Sequence, residues 1–128
     1  PNPVQTEVFF YRPLNGIISS AFHEEKQHFG IDLTAAPKEN VIATLDGTVI
    51  YTGFDHKYGN VISLQHKNDF ISIYKHNDIL LKEIGDRVVA GEAIAIVGNT
   101  GELSTGPHLH FELWHKGAPV NPEEYIAF

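Results

Sequence analysis

Gly106-Pro107-His108-Leu109-His110-Phe111-Glu112-Leu113 is the stretch from which this 128-residue chain can be read. In a β-strand successive side chains point to opposite faces, so residues two apart share a face. Read that way, His108, His110 and Glu112 point one way. Leu109, Phe111 and Leu113 point the other and form the edge of a core. Such a strand presents two imidazoles and a carboxylate on the side away from the core. The plain alternative is an amphipathic strand whose polar face meets water.

The neighbouring text supports a β reading. Val41–Ala43, Gly47–Thr52, Val61–Gln65, Phe70–His76, Ala93–Val97 and His108–Trp114 are short runs rich in Val, Ile, Tyr and Phe. Turn pairs such as Asp46-Gly47, Gly59-Asn60 and Asn68-Asp69 bound them. Regularly spaced short strands predict a mostly β fold, an antiparallel sheet of sandwich or barrel type. No segment has a long helical period. Residues 78–84 or Pro122–Ile126 are the places for short helical turns, with Asn121 an N-cap before Pro122. Residues 1–15 carry three prolines and read as an extended lead-in, which leaves 16–128 as one domain.

Two further segments carry chemistry. In His28-Phe29-Gly30-Ile31-Asp32, a His and an Asp four apart can converge on one ion across a helical turn or a bent strand. Gly30 permits a bend that a larger residue resists. Alone this spacing is common. Together with the His-x-His strand it offers two histidines and one carboxylate, a three-ligand set with an open fourth position. That is the arrangement of a catalytic zinc, whereas a structural zinc is usually closed by four protein ligands. The other segment is Tyr74-Lys75-His76, where alternation puts His76 on the face of Tyr74, Ser72 and Phe70.

Composition bounds the rest. Nine Lys and Arg against 16 Asp and Glu give a net charge of −7, which argues against a nucleic-acid or anionic-membrane partner. There are no cysteines, so thiolate ligands, a Cys nucleophile and disulfides are excluded. Eight histidines remain as the main source of metal ligands and acid–base groups. No stretch is long and apolar enough to span a bilayer, and no signal peptide is visible. The start at Pro1-Asn2-Pro3 reads as a processed or truncated chain, from which a targeting segment would have been lost upstream.

These motifs resemble the LytM-type, lysostaphin-like zinc metallopeptidases of family M23. That family carries a His-x-x-x-Asp segment, a Tyr-x-His segment and a Gly-Pro-His-x-His-Phe-Glu segment in that order. Here they are His28/Asp32, Tyr74/His76 and Gly106 to Glu112. Asp46-Gly47-Thr48-Val49, Gly59-Asn60-Val61-Ile62, Gly85-Asp86-Arg87-Val88 and Gly98-Asn99-Thr100-Gly101 are similar to family landmarks. The resemblance runs from about Arg12 to Asn121. It implies a sandwich-like antiparallel domain, of the duplicated-hybrid-motif type, with a groove across the sheet. It implies Zn2+ held by His28, Asp32 and His110, with His76 and His108 as catalytic residues and water activated by the zinc as nucleophile. His108 is then the first choice for general base. His76 would orient the water or stabilise the oxyanion, and the two roles are open to exchange. Glu112 is placed to fix the tautomer of a ligating His. His66 is read as structural or as supporting the site, and His23, His56 and His115 as surface residues.

The implied activity is a zinc-dependent endopeptidase acting on cross-links or stem peptides of bacterial peptidoglycan. The implied setting is extracytoplasmic, with membrane contact only through an upstream anchor; the oligomeric state is open. The alternative is a non-enzymatic groove domain that binds peptidoglycan or activates a cell-wall hydrolase. A departure from the family lies in Ser19–His28, where the Arg of a Ser-x-Phe-Gly-x-Arg segment is missing and the loop before the first ligand is short. The Gly85–Ala95 run also resembles lipoyl and biotinyl carrier domains. No lysine-bearing hairpin tip with its Met accompanies it, so it reads as shared turn-and-strand architecture.

Overall fold

A computed structural model describes residues 9–98 and 106–128. Ten strands follow one another along the chain: β1 (Ile17–Ser20), β2 (Ile31–Thr34), β3 (Asn40–Ile42), β4 (Gly47–Asp55), β5 (Gly59–Gln65), β6 (Phe70–Leu80), β7 (Arg87–Val88), β8 (Ala93–Val97), β9 (His108–His115) and β10 (Ala118–Val120). All the pairings are antiparallel, in the order β1-β2-β9-β6-β5-β4-β7, with β10 on β9. The last residues of β6 leave this path and pair instead with β8, which also pairs with β3. One strand thus joins the main sheet to a smaller β3–β8 ladder, giving the mostly β, sandwich-like form that the strand pattern predicts.

Alternation builds the core. Leu109, Phe111 and Leu113 of β9 are fully buried, against Ile31 and Leu33 of β2 and Tyr74 of β6. Strands 47–52, 61–65, 70–76 and 108–114 are found in place, each extended by one to four residues, 41–43 is shifted by one to Asn40–Ile42, and 93–97 matches to the residue. The helical turn considered for 78–84 is not formed over its first three residues. Ile79 and Leu80 pair with Ile96 and Ala95 of β8, and that ladder outweighs the local turn signals. At the other end, Asn121 does cap a one-turn 3-10 helix, Pro122–Glu124, accepting from the Glu123 N–H at 3.1 Å.

The described part of the lead-in is tied to the domain. Thr44 and Tyr11 exchange hydrogen bonds, Ile42 N–H donates to the Pro13 carbonyl, and Leu14 is buried in the core. Of the family landmarks, residues 99–101 lie outside the described residues.

Candidate metal centre

The register of the central strands assembles the site. Asp32 of β2 lies directly opposite His110 of β9, and His110 in turn lies opposite Lys75 of β6. Directly opposed residues have Cβ atoms about 5 Å apart, so their side chains meet without any special loop. His110 Nδ1 is 2.7 Å from Asp32 Oδ1. His28 comes from outside the sheet. It is held by a two-way backbone bridge with His23, on either side of the one-turn helix Glu24–Lys26, and its Nε2 is 3.3 Å from Asp32 Oδ2.

Gly30 sits between His28 and Asp32 for want of space, and not for the bend. The chain does turn there, but its φ is open to any residue. A Cβ at this position would lie 2.5 Å from the Phe111 carbonyl oxygen and 2.9 Å from His110 Nε2. A glycine is required so that β9 can approach.

The hydrogen bonds assign nitrogens. A carbonyl only accepts, so His28 Nδ1 donates to the Ala21 carbonyl at 2.7 Å and Nε2 is left as a lone-pair donor. His110 has Glu112 Oε2 at 2.8 Å from Nε2, which leaves Nδ1 for Asp32 or an ion. Trp114 Nε1 donates to the other oxygen of Glu112, and Lys75 Nζ is 3.2 Å from Oε2. Burial works against a charge on Glu112, but the bonds from His110 and Trp114 and the Lys75 charge prevail and bring its pKa down to about 2. Burial also opposes charge on Asp32, and the His110 hydrogen bond outweighs it, so its pKa is lowered. His110 is desolvated as well, yet its bonds to Asp32 and Glu112 raise its pKa. Two carboxylates around one part-buried imidazole make a place for positive charge: a proton, or a cation on the cluster atoms.

The donor set suits a tetrahedral ion. The three ligand atoms of His28, Asp32 and His110 lie within 4.8 Å of one another. The 3.3 Å between His28 Nε2 and Asp32 Oδ2 is close to the tetrahedral edge, about 3.3–3.5 Å, given by metal bonds of about 2.0–2.1 Å. With neutral imidazoles and a carboxylate and no thiolate, the set fits Zn2+ among other divalent ions.

His76 and His108 line the same groove, their ring centroids 4.7 Å apart. His108 Nδ1 donates to the Gly106 carbonyl, so Nε2 is the nitrogen able to take a proton. His76 departs from the expected face. Strict alternation would send it into the core behind Tyr74. Instead it has φ 71°, in the left-handed region, and β6 carries one extra residue there against β5. This bulge turns the ring out to the groove, where it also meets Tyr58 edge-on. Two groove residues are not signalled by the motifs. Lys75 is visible only through its register opposite His110. Tyr58 is brought in by the β4–β5 turn and donates no pattern of its own.

The other histidines separate. His66 is buried, its Nδ1 donating to the Asp46 carbonyl and its Nε2 2.7 Å from Ser72 Oγ, away from the groove. Ser72 continues to the Tyr74 hydroxyl, which accepts from the Thr44 N–H. His115 stacks on Phe70, and His23 caps the Glu24–Lys26 turn.

The family model of peptidase family M23 matches residues 26–122, which includes every residue of the cluster and the groove above. The chain belongs to peptidase family M23. Over 116 residues, 89% of its length, it is 40% identical to the murein hydrolase activator NlpD of Escherichia coli, and it spans 30% of that protein. It is likewise 40% identical over 100 residues, 78% of the chain, to the DD-carboxypeptidase/endopeptidase Mpg of Neisseria meningitidis, of which it spans 23%. A zinc-containing peptidase from Vibrio cholerae has the same fold, with a TM-score of 0.84, 32% identity, and coverage of 90% of this chain and 39% of that one. Membership of M23 agrees with the antiparallel architecture and with the order of the three site segments.

Proposed function

We propose that this M23 domain is a zinc-dependent endopeptidase of peptidoglycan, acting outside the cytoplasm on cross-links or stem peptides. The observation that carries this reading is the convergence of His28 Nε2, Asp32 and His110 Nδ1 beside a second pair of histidines, His76 and His108, in the same groove. A site meant only to hold structure has no use for that second pair.

His28, Asp32 and His110 would hold the zinc. Bound there, it supplies Lewis acidity that makes water a usable nucleophile near neutral pH and polarises a carbonyl. Glu112 keeps the His110 proton on Nε2, and the Ala21 carbonyl keeps the His28 proton on Nδ1, so both ligand nitrogens stay available. His108 Nε2 takes the proton of the attacking water and hands it to the leaving amine. His76 steadies the attacking water or the developing oxyanion from the same side of the groove.

A second reading is favoured by the 40% identity to proteins named murein hydrolase activators. In it the groove binds cell-wall peptide or a partner hydrolase without cutting. Metal analysis of the purified protein, with peptide release from purified peptidoglycan with and without a chelator, separates the two. Release that needs zinc supports the peptidase. Bound zinc without release supports the binding domain.

A further inference from the structure

We infer that Lys57, gathered with Lys75 over the Tyr58 ring, forms a carboxylate-recognition subsite beside the metal cluster, so that the preferred peptide carries a free carboxylate near the bond at the cluster. This rests on the proposal that the groove receives peptidoglycan peptides.

Charge is the first observation. The chain as a whole is acidic, yet among the described residues the charged side chains that line the groove are two carboxylates, Asp32 and Glu112, and two lysines, 57 and 75. Both carboxylates are committed: Asp32 to His28 and His110, and Glu112 to His110, Trp114 and Lys75. Once a divalent ion joins these side chains, the described lining of the groove carries net positive charge on a protein of net charge −7. A neutral peptide gains nothing from that field, whereas an anionic one is drawn into it.

The second observation is how the lysines are presented. Both ammonium groups sit over the ring of Tyr58, Lys75 at 4.0 Å and Lys57 at 5.2 Å from its centroid. Glu112 already partners Lys75 at 3.2 Å and the Asp55 charge acts on both lysines, so exposed Lys57 is the one presented to a peptide carboxylate. The hairpin tip carrying Lys57 is fixed. Asp55 Oδ1 accepts the backbone N–H of Lys57 and of Tyr58, and the Tyr58 carbonyl accepts the N–H of His76. The tip is therefore anchored to the same bulge that aims His76 at His108. A carboxylate held by Lys57 lies at a set place relative to the catalytic pair.

The test uses the intact, zinc-loaded protein and purified peptidoglycan, before and after its carboxylates are coupled to methylamine with a carbodiimide. Co-sedimentation reads binding and soluble peptide reads cleavage. Lys57 is exposed, so Lys57→Gln leaves packing alone, and Lys57→Arg tests the charge. Binding of the Lys57→Gln protein to untreated peptidoglycan falls about two- to fivefold, the scale of an exposed ion pair. Wild-type binding falls similarly on amidation, the two losses do not add, and Lys57→Arg restores binding. Equal binding of wild type to untreated and amidated material, or of Lys57→Gln and wild type to untreated material, overturns the subsite. Zinc-dependent cleavage alongside that result leaves the peptidase reading standing. Carboxylate-dependent binding without cleavage keeps the subsite and removes the peptidase. Absence of wild-type binding to either material overturns the subsite, and absence of release with it overturns the peptidase as well.

Discussion

Replacing Gly30 by alanine tests the account of how the ligands are brought together. The added Cβ would stand 2.5 Å from the Phe111 carbonyl oxygen, where ordinary C···O contacts begin near 3.3 Å. The clash is with backbone of β9, a strand laddered on both sides by β2 and β6, so nearly an ångström must be found by moving a central strand. Overpacking of this kind costs about 1–3 kcal/mol, and a rigid backbone neighbour puts the change at the upper end. For a domain of this size that lowers Tm by on the order of 10 °C. The same Cβ would lie 2.9 Å from His110 Nε2 and from Glu112 Cγ, so the ring tilts away from its acceptor. Zinc affinity then falls about 10- to 100-fold, as when a supporting hydrogen bond is lost. Thermal unfolding in chelator isolates the first effect, because bound metal would itself stabilise the fold. Competition against a chromophoric chelator measures the second. A Gly30→Ala protein with Tm within 2 °C of wild type and unchanged zinc affinity would refute the close-approach argument.

Other outcomes follow from the same geometry. Glu112→Gln keeps the shape but removes the charge that holds the His110 proton, and zinc affinity drops about 10- to 100-fold in the same competition assay. Tyr74→Phe leaves the buried N–H of Thr44 without its acceptor and costs about 1–3 kcal/mol in denaturant unfolding. Burial lowers the His66 pKa from its ordinary 6.5, so the unfolded chain binds the proton more readily than the folded one. Its contribution is therefore flat above about pH 6.5 and destabilising as pH falls below it. The stability difference between wild type and His66→Gln should bend at that point, and a constant difference from pH 5 to 8 would contradict it.

The sequence was most informative where a single strand carried both chemistry and core. In His108–Leu113 alternation alone separates imidazoles from the hydrophobic face, and the structure keeps that division. Ile31-Asp32-Leu33-Thr34 alternates just as cleanly but is four residues long, and so reads more readily as part of a ligand motif than as the strand β2. Ile17–Ser20, Arg87–Val88 and Ala118–Val120 are too short to carry a pattern; they are strands because neighbours pair with them. His76 shows where the period misleads: one extra residue and a left-handed φ move it from the core face to the groove. No local signal announces this, since the bulge exists only relative to β5. Lys75 carries no local signal for a related reason, its importance lying in a cross-strand register that spacing along the chain does not encode. Gly30 was legible as a required glycine but not for its reason, which is the nearness of a strand some eighty residues later.

The most direct measurement of the central claim is peptide release from purified peptidoglycan by the wild-type protein and His108→Ala, with zinc content determined on the same samples. Wild type is expected to bind one zinc and release peptide, a chelator to stop release and added zinc to restore it, and His108→Ala to keep its zinc while release falls about 10²- to 10⁴-fold. Wild-type protein loaded with zinc at His28, Asp32 and His110 that releases no peptide would contradict the claim.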